Sequence, residues 1–257
     1  MSGPFLVHCH VPKTGGSALN RRFLYPAFGE DRVYQLYRFV FERASRLPHR
    51  HVSRAMRSYA ATGHVPVGFF DRVYPDALYF SVFREPVERM LSFLNFVLSN
   101  PDHKVNARLP KGAVRHAAQD PDAYVNAVLD EPRLAVVQAN VQTRIAGGAA
   151  RLGDRPVSEL HLDQAFENLS RSSYVVGDQS DLDDLIARLG ERVPVLAAQC
   201  SSEPRSSAKL EKRLPRTLCL NALAPRTLDR IRGANDLDIR LYDRVRDRLA
   251  GPQRHAA

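Results

Sequence analysis

Apolar positions along this chain group into two kinds of run. Some are short, unbroken and rich in β-branched or aromatic residues; others recur at helical spacing. Phe5 to Val11, Tyr59 to Val65, Ala77 to Phe83 and Tyr174 to Gly177 are of the first kind and predict strands, the one over 77–83 being the clearest. Helical spacing predicts helices over Ser17–Leu24, Asp31–Leu47 (Val33, Leu36, Tyr37, Val40, Phe41), Val87–Leu98, Pro121–Leu129, Leu134–Ile145, Ser180–Leu189, Pro225–Arg232 and Leu237–Leu249. Pro86 suits the first turn of the helix after the third strand. From Asn100 to about Arg171 the chain otherwise reads as loop-rich, and Gln199 to Pro215 as a polar, basic surface loop.

Strands alternating with helices predict an α/β fold, three layers α/β/α around a mostly parallel sheet, with extra C-terminal helices. The 257 residues suit one domain over 1–257. Its expected parts are a nucleotide-binding core over about 4–100 and 172–215, a helical insert over about 101–171 and C-terminal helices over about 222–250.

Composition adds direction without naming a ligand. A net charge of +9 favours anionic partners, among them nucleotides, nucleic acid, sulfated or carboxylated sugars and acidic lipid. The surplus is mostly arginine, since lysine stands only at positions 13, 104, 111, 209 and 212. Cys9, Cys200 and Cys219 form no CxxC pair and no metal-ligand spacing, so reduced thiols are expected and no metal. No apolar run approaches the roughly 20 residues of a membrane span, and Phe5 to Val11 is too short for a signal core. A cytoplasmic protein is the expectation.

Between the first strand and the first helix lies Pro12-Lys13-Thr14-Gly15-Gly16-Ser17. Two glycines let the backbone approach an anion, and the helix that follows offers free N–H groups at its positive end. Thr14 and Ser17 add hydroxyls and Lys13 a mobile charge. The turn is P-loop-like in position, yet the lysine precedes the glycines and no Gly-Lys-Ser/Thr follows, which counts against an ATP or GTP hydrolase. A plain strand-to-helix turn with a solvated lysine would share these features.

A second motif changes that balance. In Arg84-Glu-Pro-Val-Glu88-Arg89-Met-Leu-Ser92, Arg84 leaves the carboxyl end of a strand, where ligands gather in open α/β sheets. Ser92 lies two turns along the next helix, so both can converge on one phosphate. Surface charge on an amphipathic helix suits Glu88 and Arg89, but it suits Arg84 poorly, between an apolar strand and a proline.

Together these motifs resemble the sulfotransferases that use 3′-phosphoadenosine 5′-phosphosulfate (PAPS). In that family a Pro-Lys-x-Gly turn holds the 5′-phosphosulfate and a later arginine and serine hold the 3′-phosphate. The chain is most similar to the carbohydrate branch, heparan sulfate 2-O-sulfotransferase and the uronyl 2-O-sulfotransferases. Val11 to Gly15 matches its Val-Pro-Lys-Thr-Gly, and Arg84 to Ser92 its Arg-Asp-Pro-Ile-Glu-Arg-Leu-x-Ser. Thr62-Gly63-His64-Val65 resembles its His-Gly-His-Val, whose second histidine is the base; Thr62 and His10 depart from the histidine and arginine found there. Tyr174 to Gly177 and Glu211 to Pro215 are also similar.

The resemblance implies sulfuryl transfer from PAPS to an acceptor hydroxyl, of a sugar or oligosaccharide, by in-line displacement. It implies His64 as general base and Lys13 on the leaving 5′-phosphate oxygen, both catalytic. Lys13, Thr14, Gly15, Gly16, Ser17, Arg84 and Ser92 would bind the nucleotide, with Arg205 and Lys209 of the basic loop as further candidates. Nucleic acid is not expected as a partner, and no membrane segment is expected. Two other classes remain open. A nucleotide-dependent kinase would need a magnesium-binding acid at a strand end, and Ala77 to Phe83 has none. A non-catalytic basic module for glycan or nucleic acid would want arginines spread over one face with exposed aromatics.

Overall fold

The structure is a computed structural model and describes residues 3–37, 54–100, 102–148, 155–194, 196 and 218–251. Within them, β1 (Leu6–Cys9), β2 (Val33–Leu36), β3 (Ala60–Gly63), β4 (Leu78–Phe83) and β5 (Tyr174–Asp178) form one sheet. Its order is β2-β3-β1-β4-β5, and every pairing is parallel.

Helices in chain order are α1 (Gly16–Leu19), α2 (Tyr25–Phe28), α3 (Pro86–Leu98), α4 (Ala113–His116), α5 (Pro121–Asp130), α6 (Pro132–Gln138), α7 (Val141–Ala146), α8 (Glu159–Ser170), α9 (Leu182–Arg192), α10 (Pro225–Ala234) and α11 (Asp236–Ala250). A five-residue π-helical turn, Asn20–Leu24, joins α1 to α2.

Side chains alternate across the strands, so each strand feeds two cores. Leu6, Val33, Ala60, Leu78, Phe80 and Val175 meet Leu19, Phe23, Leu185 and Leu189 of the α1–α2 and α9 layer. Val7, Cys9, Tyr34, Ala61, Tyr79 and Val176 instead meet α7, α8 and α11, through residues such as Ile145, Leu162, Leu169, Leu241 and Val245. Cover on both faces is why these strands read as unbroken apolar runs. A third cluster binds α3 to α5 and α10 through Leu94, Tyr124, Val125 and Ile231.

Three local expectations need correction. Asp31–Leu47 does not run on as a helix: after a 3-10 turn over Glu30–Arg32, Val33–Leu36 is β2, paired along β3 from Val33↔Ala60 to Leu36↔Gly63. Its apolar residues suit a helical face, but the open edge of β3 offers a ladder, and tertiary pairing overrides local period. Residues 38–47 lie outside the described residues. The helix expected over Leu134–Ile145 is broken into α6 and α7 at Asn140, whose φ of 49° is left-handed. The loop-rich middle holds a 12-residue helix, α8, with a capping box in which His161 answers Ser158. Histidine there, in place of the usual Glu or Gln, hides that start from a reading of sequence. The loop Gln199 to Pro215, with Arg205 and Lys209, lies outside the described residues. Among the described residues no helix is long and apolar enough to cross a membrane.

Candidate active site

In open parallel sheets ligands bind at carboxyl ends of strands, where successive connections leave in opposite directions. Here that point is β1 against β4: the chain leaves β1 towards β2 on one side, and β4 leads to β5 on the other. The carboxyl end of β1 carries the Lys13–Ser17 turn, that of β4 carries Arg84, and that of β3 carries His64.

The turn is built by backbone. Lys13 has φ 70° and Gly15 φ 88°, so the chain doubles back twice before α1 begins. A left-handed lysine costs about 1–3 kcal/mol and is a feature of functional turns. At Gly16 a Cβ would fall 2.2 Å from His10 Cδ2, so only glycine lets α1 start this close to β1. Thr14 is fully buried and donates to Val11 O at 2.9 Å, bracing the turn, while Ser17 is exposed. The Lys13 ammonium sits 4.6 Å from the Phe96 ring centroid, a cation–π contact with α3.

Arg84 meets this turn from the neighbouring strand, with Nη1 donating to Lys13 O at 3.4 Å and Nη2 paired to Glu88 at 3.3 Å. Its Nε is buried without a hydrogen-bond partner among the described residues. A guanidinium so held, beside a turn with positive φ and a helix start, fits an anionic group such as a nucleotide phosphate. Glu88 is no barrier, because its carboxylate is half-exposed and an ion pair open to water on one side contributes about 0–1 kcal/mol against about 1.5–3 for a charged hydrogen bond. Ser92 is half-buried on α3, a turn beyond Glu88 and two beyond Arg84. Arg89, read from sequence as a surface charge, is fully buried and donates to Gln138 O at 2.8 Å.

Beside the cationic side lies a group of imidazoles. His8, His10 and His64 are in ring contact, His10 lying 5.1 Å from each of the other two. His8 Nδ1 bonds Asn20 Oδ1 at 2.7 Å and Thr62 Oγ1 at 3.0 Å, and Asn20 Nδ2 donates to Tyr37 OH at 2.6 Å. The ring of His8 also stacks on Phe80. Thr62, standing where the similar family has histidine, is paired in register with His8 across β1 and β3. Burial lowers the pKa of His8 to about 4, with the Asn20 bond opposing it and His64 adding to it. Burial likewise pushes His10 well down, and His8, His64 and Lys13 push the same way. His64 is lowered by burial, partly offset by its Nδ1 bond to His10 O at 2.8 Å. All three are therefore neutral near pH 7. Gly63 positions His64: a Cβ there would meet Leu36 O at 2.6 Å.

The structure thus brings Lys13, the glycine turn and Arg84 together, and sets His64 against His10, which itself lies against Gly16 of that turn. Sequence reading missed Asn20, His8 and Gln142. His8 and His10 stand two apart at the end of a strand, which puts them on one face, and that spacing was visible. Gln142 gave no warning, since it lies inside an apolar helical run.

No family model matches this sequence, and no curated protein does. Among solved structures, a sulfotransferase from Alicyclobacillus acidocaldarius is similar at 14% identity, with a TM-score of 0.43 over 91% of this chain and 96% of that one. At that level of similarity, function is left to the side chains.

Proposed function

We propose that this chain is a sulfotransferase that uses PAPS and acts on a hydroxyl acceptor, a carbohydrate being the expected class, with His64 as general base. The observation that carries the reading is the meeting of the Lys13 turn with Arg84 at the switch point, where Arg84 Nε is buried without a partner among the described residues. When bound, PAPS supplies the activated sulfuryl group. Gly15, Gly16 and the first N–H groups of α1 would hold its 5′ end, with Thr14 shaping the turn and Ser17 at its rim. Lys13 would swing from Phe96 to meet charge that grows on the 5′-phosphate oxygen. Arg84, with Ser92, would hold the 3′-phosphate.

His64 has what a base needs. Donation from Nδ1 to His10 O assigns the proton to that nitrogen and the lone pair to Nε2, and burial keeps the ring neutral. The kinase reading finds no support in β4, which carries no acid.

Calorimetry with adenosine 3′,5′-bisphosphate, adenosine 5′-phosphate and ATP tests the nucleotide. The bisphosphate is expected to bind most tightly and to raise Tm by mass action. Arg84→Ala is expected to cost it about 1.5–3 kcal/mol and the monophosphate little. Equal losses for both ligands would remove the 3′-site assignment, and preference for ATP would favour a kinase.

A further inference from the structure

Arg84 follows the last residue of β4, where the sheet's own hydrogen bonds end, so something else must hold its backbone. Gln142 does so. Arg84 N–H donates to Gln142 Oε1 at 2.9 Å, and Gln142 Nε2 donates to Arg84 O at 2.9 Å. One fully buried carboxamide thus satisfies both main-chain groups of a single residue, in the way a neighbouring strand would. Without it, Arg84 could rotate about its backbone and carry the guanidinium away from Lys13 O.

Gln142 is itself held from the far end of the chain. Asp238, fully buried near the start of α11, accepts from Gln142 N at 3.1 Å, Thr143 N at 2.7 Å and Thr143 Oγ1 at 2.8 Å. In return Asp238 N donates to Asn140 Oδ1 at 3.0 Å, and Asn140 N to Asn235 Oδ1 at 3.3 Å. The first turns of α7 and α11 are therefore interlocked, and the left-handed Asn140 makes the sharp entry that aims Gln142 at β4. A buried carboxylate is costly unless hydrogen-bonded, and a satisfied network of this kind rigidifies the segments that it joins.

We infer that Gln142 is a positioning residue for the anion site, a clamp that sets the Arg84 guanidinium and through it the selectivity for a 3′-phosphate. The inference rests on the reading of Arg84 given under Proposed function. α11 thereby acts on the nucleotide site through Asp238 and Gln142.

Gln142→Met keeps length and volume and removes both bonds; Gln142→Glu keeps the acceptor and loses the donor. Calorimetry on the full chain would compare adenosine 3′,5′-bisphosphate with adenosine 5′-phosphate for each, beside Arg84→Ala. Loss of two hydrogen bonds is expected to lower bisphosphate affinity by about tenfold in Gln142→Met, with monophosphate affinity within about twofold of wild type. Gln142→Glu is expected to fall between Gln142→Met and wild type, and carries the test if the methionine variant does not fold. Wild-type selectivity in both variants overturns the clamp, and so does an equal loss for both ligands, which marks a general structural role. If Arg84→Ala keeps its preference for the bisphosphate, the 3′-site reading fails and the clamp's function with it. If only Arg84→Ala loses preference, that reading stands and the clamp alone falls.

Discussion

Two groups of polar side chains share the carboxyl edge of the sheet, and they differ in charge. On the β1–β4 side, Lys13 and Arg84 are cations that stay half-accessible, one on an aromatic ring and one on a half-exposed carboxylate. On the β1–β3 side, His8, His10 and His64 lie in ring contact and burial holds each imidazole neutral. Gly16 of the turn lies directly against the His10 ring, where an added Cβ would fall 2.2 Å from Cδ2, so the change happens within a few ångströms. A site of this kind can hold an anion on one side and take up a proton on the other. Were the histidines charged they would compete for the same anion and could not act as a base.

The largest effect is expected from removing His64. In His64→Ala, turnover on a confirmed acceptor should fall by roughly 10²–10⁴-fold, with bisphosphate affinity almost unchanged. In the wild type, kcat/KM should rise with pH through a pKa below the usual 6.5 and then level, since burial lowers that of His64. Near-normal turnover in the variant would break the division into two sides.

Lys13→Ala sharpens the other side. Turnover is expected to fall about 10²–10³-fold, the range for loss of one transition-state donor, and product affinity much less. Single-turnover rates set beside calorimetry separate the two; a loss of affinity alone makes Lys13 a binding residue.

The smallest effect is on stability, and it tests the neutrality of the histidines. His8 has a folded pKa of about 4 against 6.5 in the unfolded chain. Below pH 6.5 the unfolded chain therefore binds a proton that the folded chain refuses. The associated stability is present in full above pH 6.5 and is lost as pH falls towards 4, about 3 kcal/mol from His8. Denaturation midpoints across that window should fall steeply, and His8→Gln should flatten the slope. Parallel slopes would mean that His8 is not held neutral.

Much of this architecture could be read before any coordinates. Four of the five described strands, the α3 helix behind Pro86 and both C-terminal helices follow from apolar runs and proline, because buried parallel strands leave an unmistakable composition. Each exception has its own cause. At β2 a neighbour's open edge outweighed helical spacing, at Asn140 one left-handed residue cut a helix, and at Ser158 the cap used a histidine.

The candidate site divides in the same way. The turn at Lys13–Ser17, the arginine at a strand end and the histidine after Gly63 are legible from the residues alone, since each depends on positions close together in the chain. It takes the folded chain to show that Arg84 Nη1 reaches Lys13 O, that Arg89 is buried, that Gln142 grips Arg84, and that three imidazoles meet and are held neutral. Apart from the neighbours His8 and His10, those contacts join residues 54 to 71 positions apart or depend on burial, and neither is a property of local sequence.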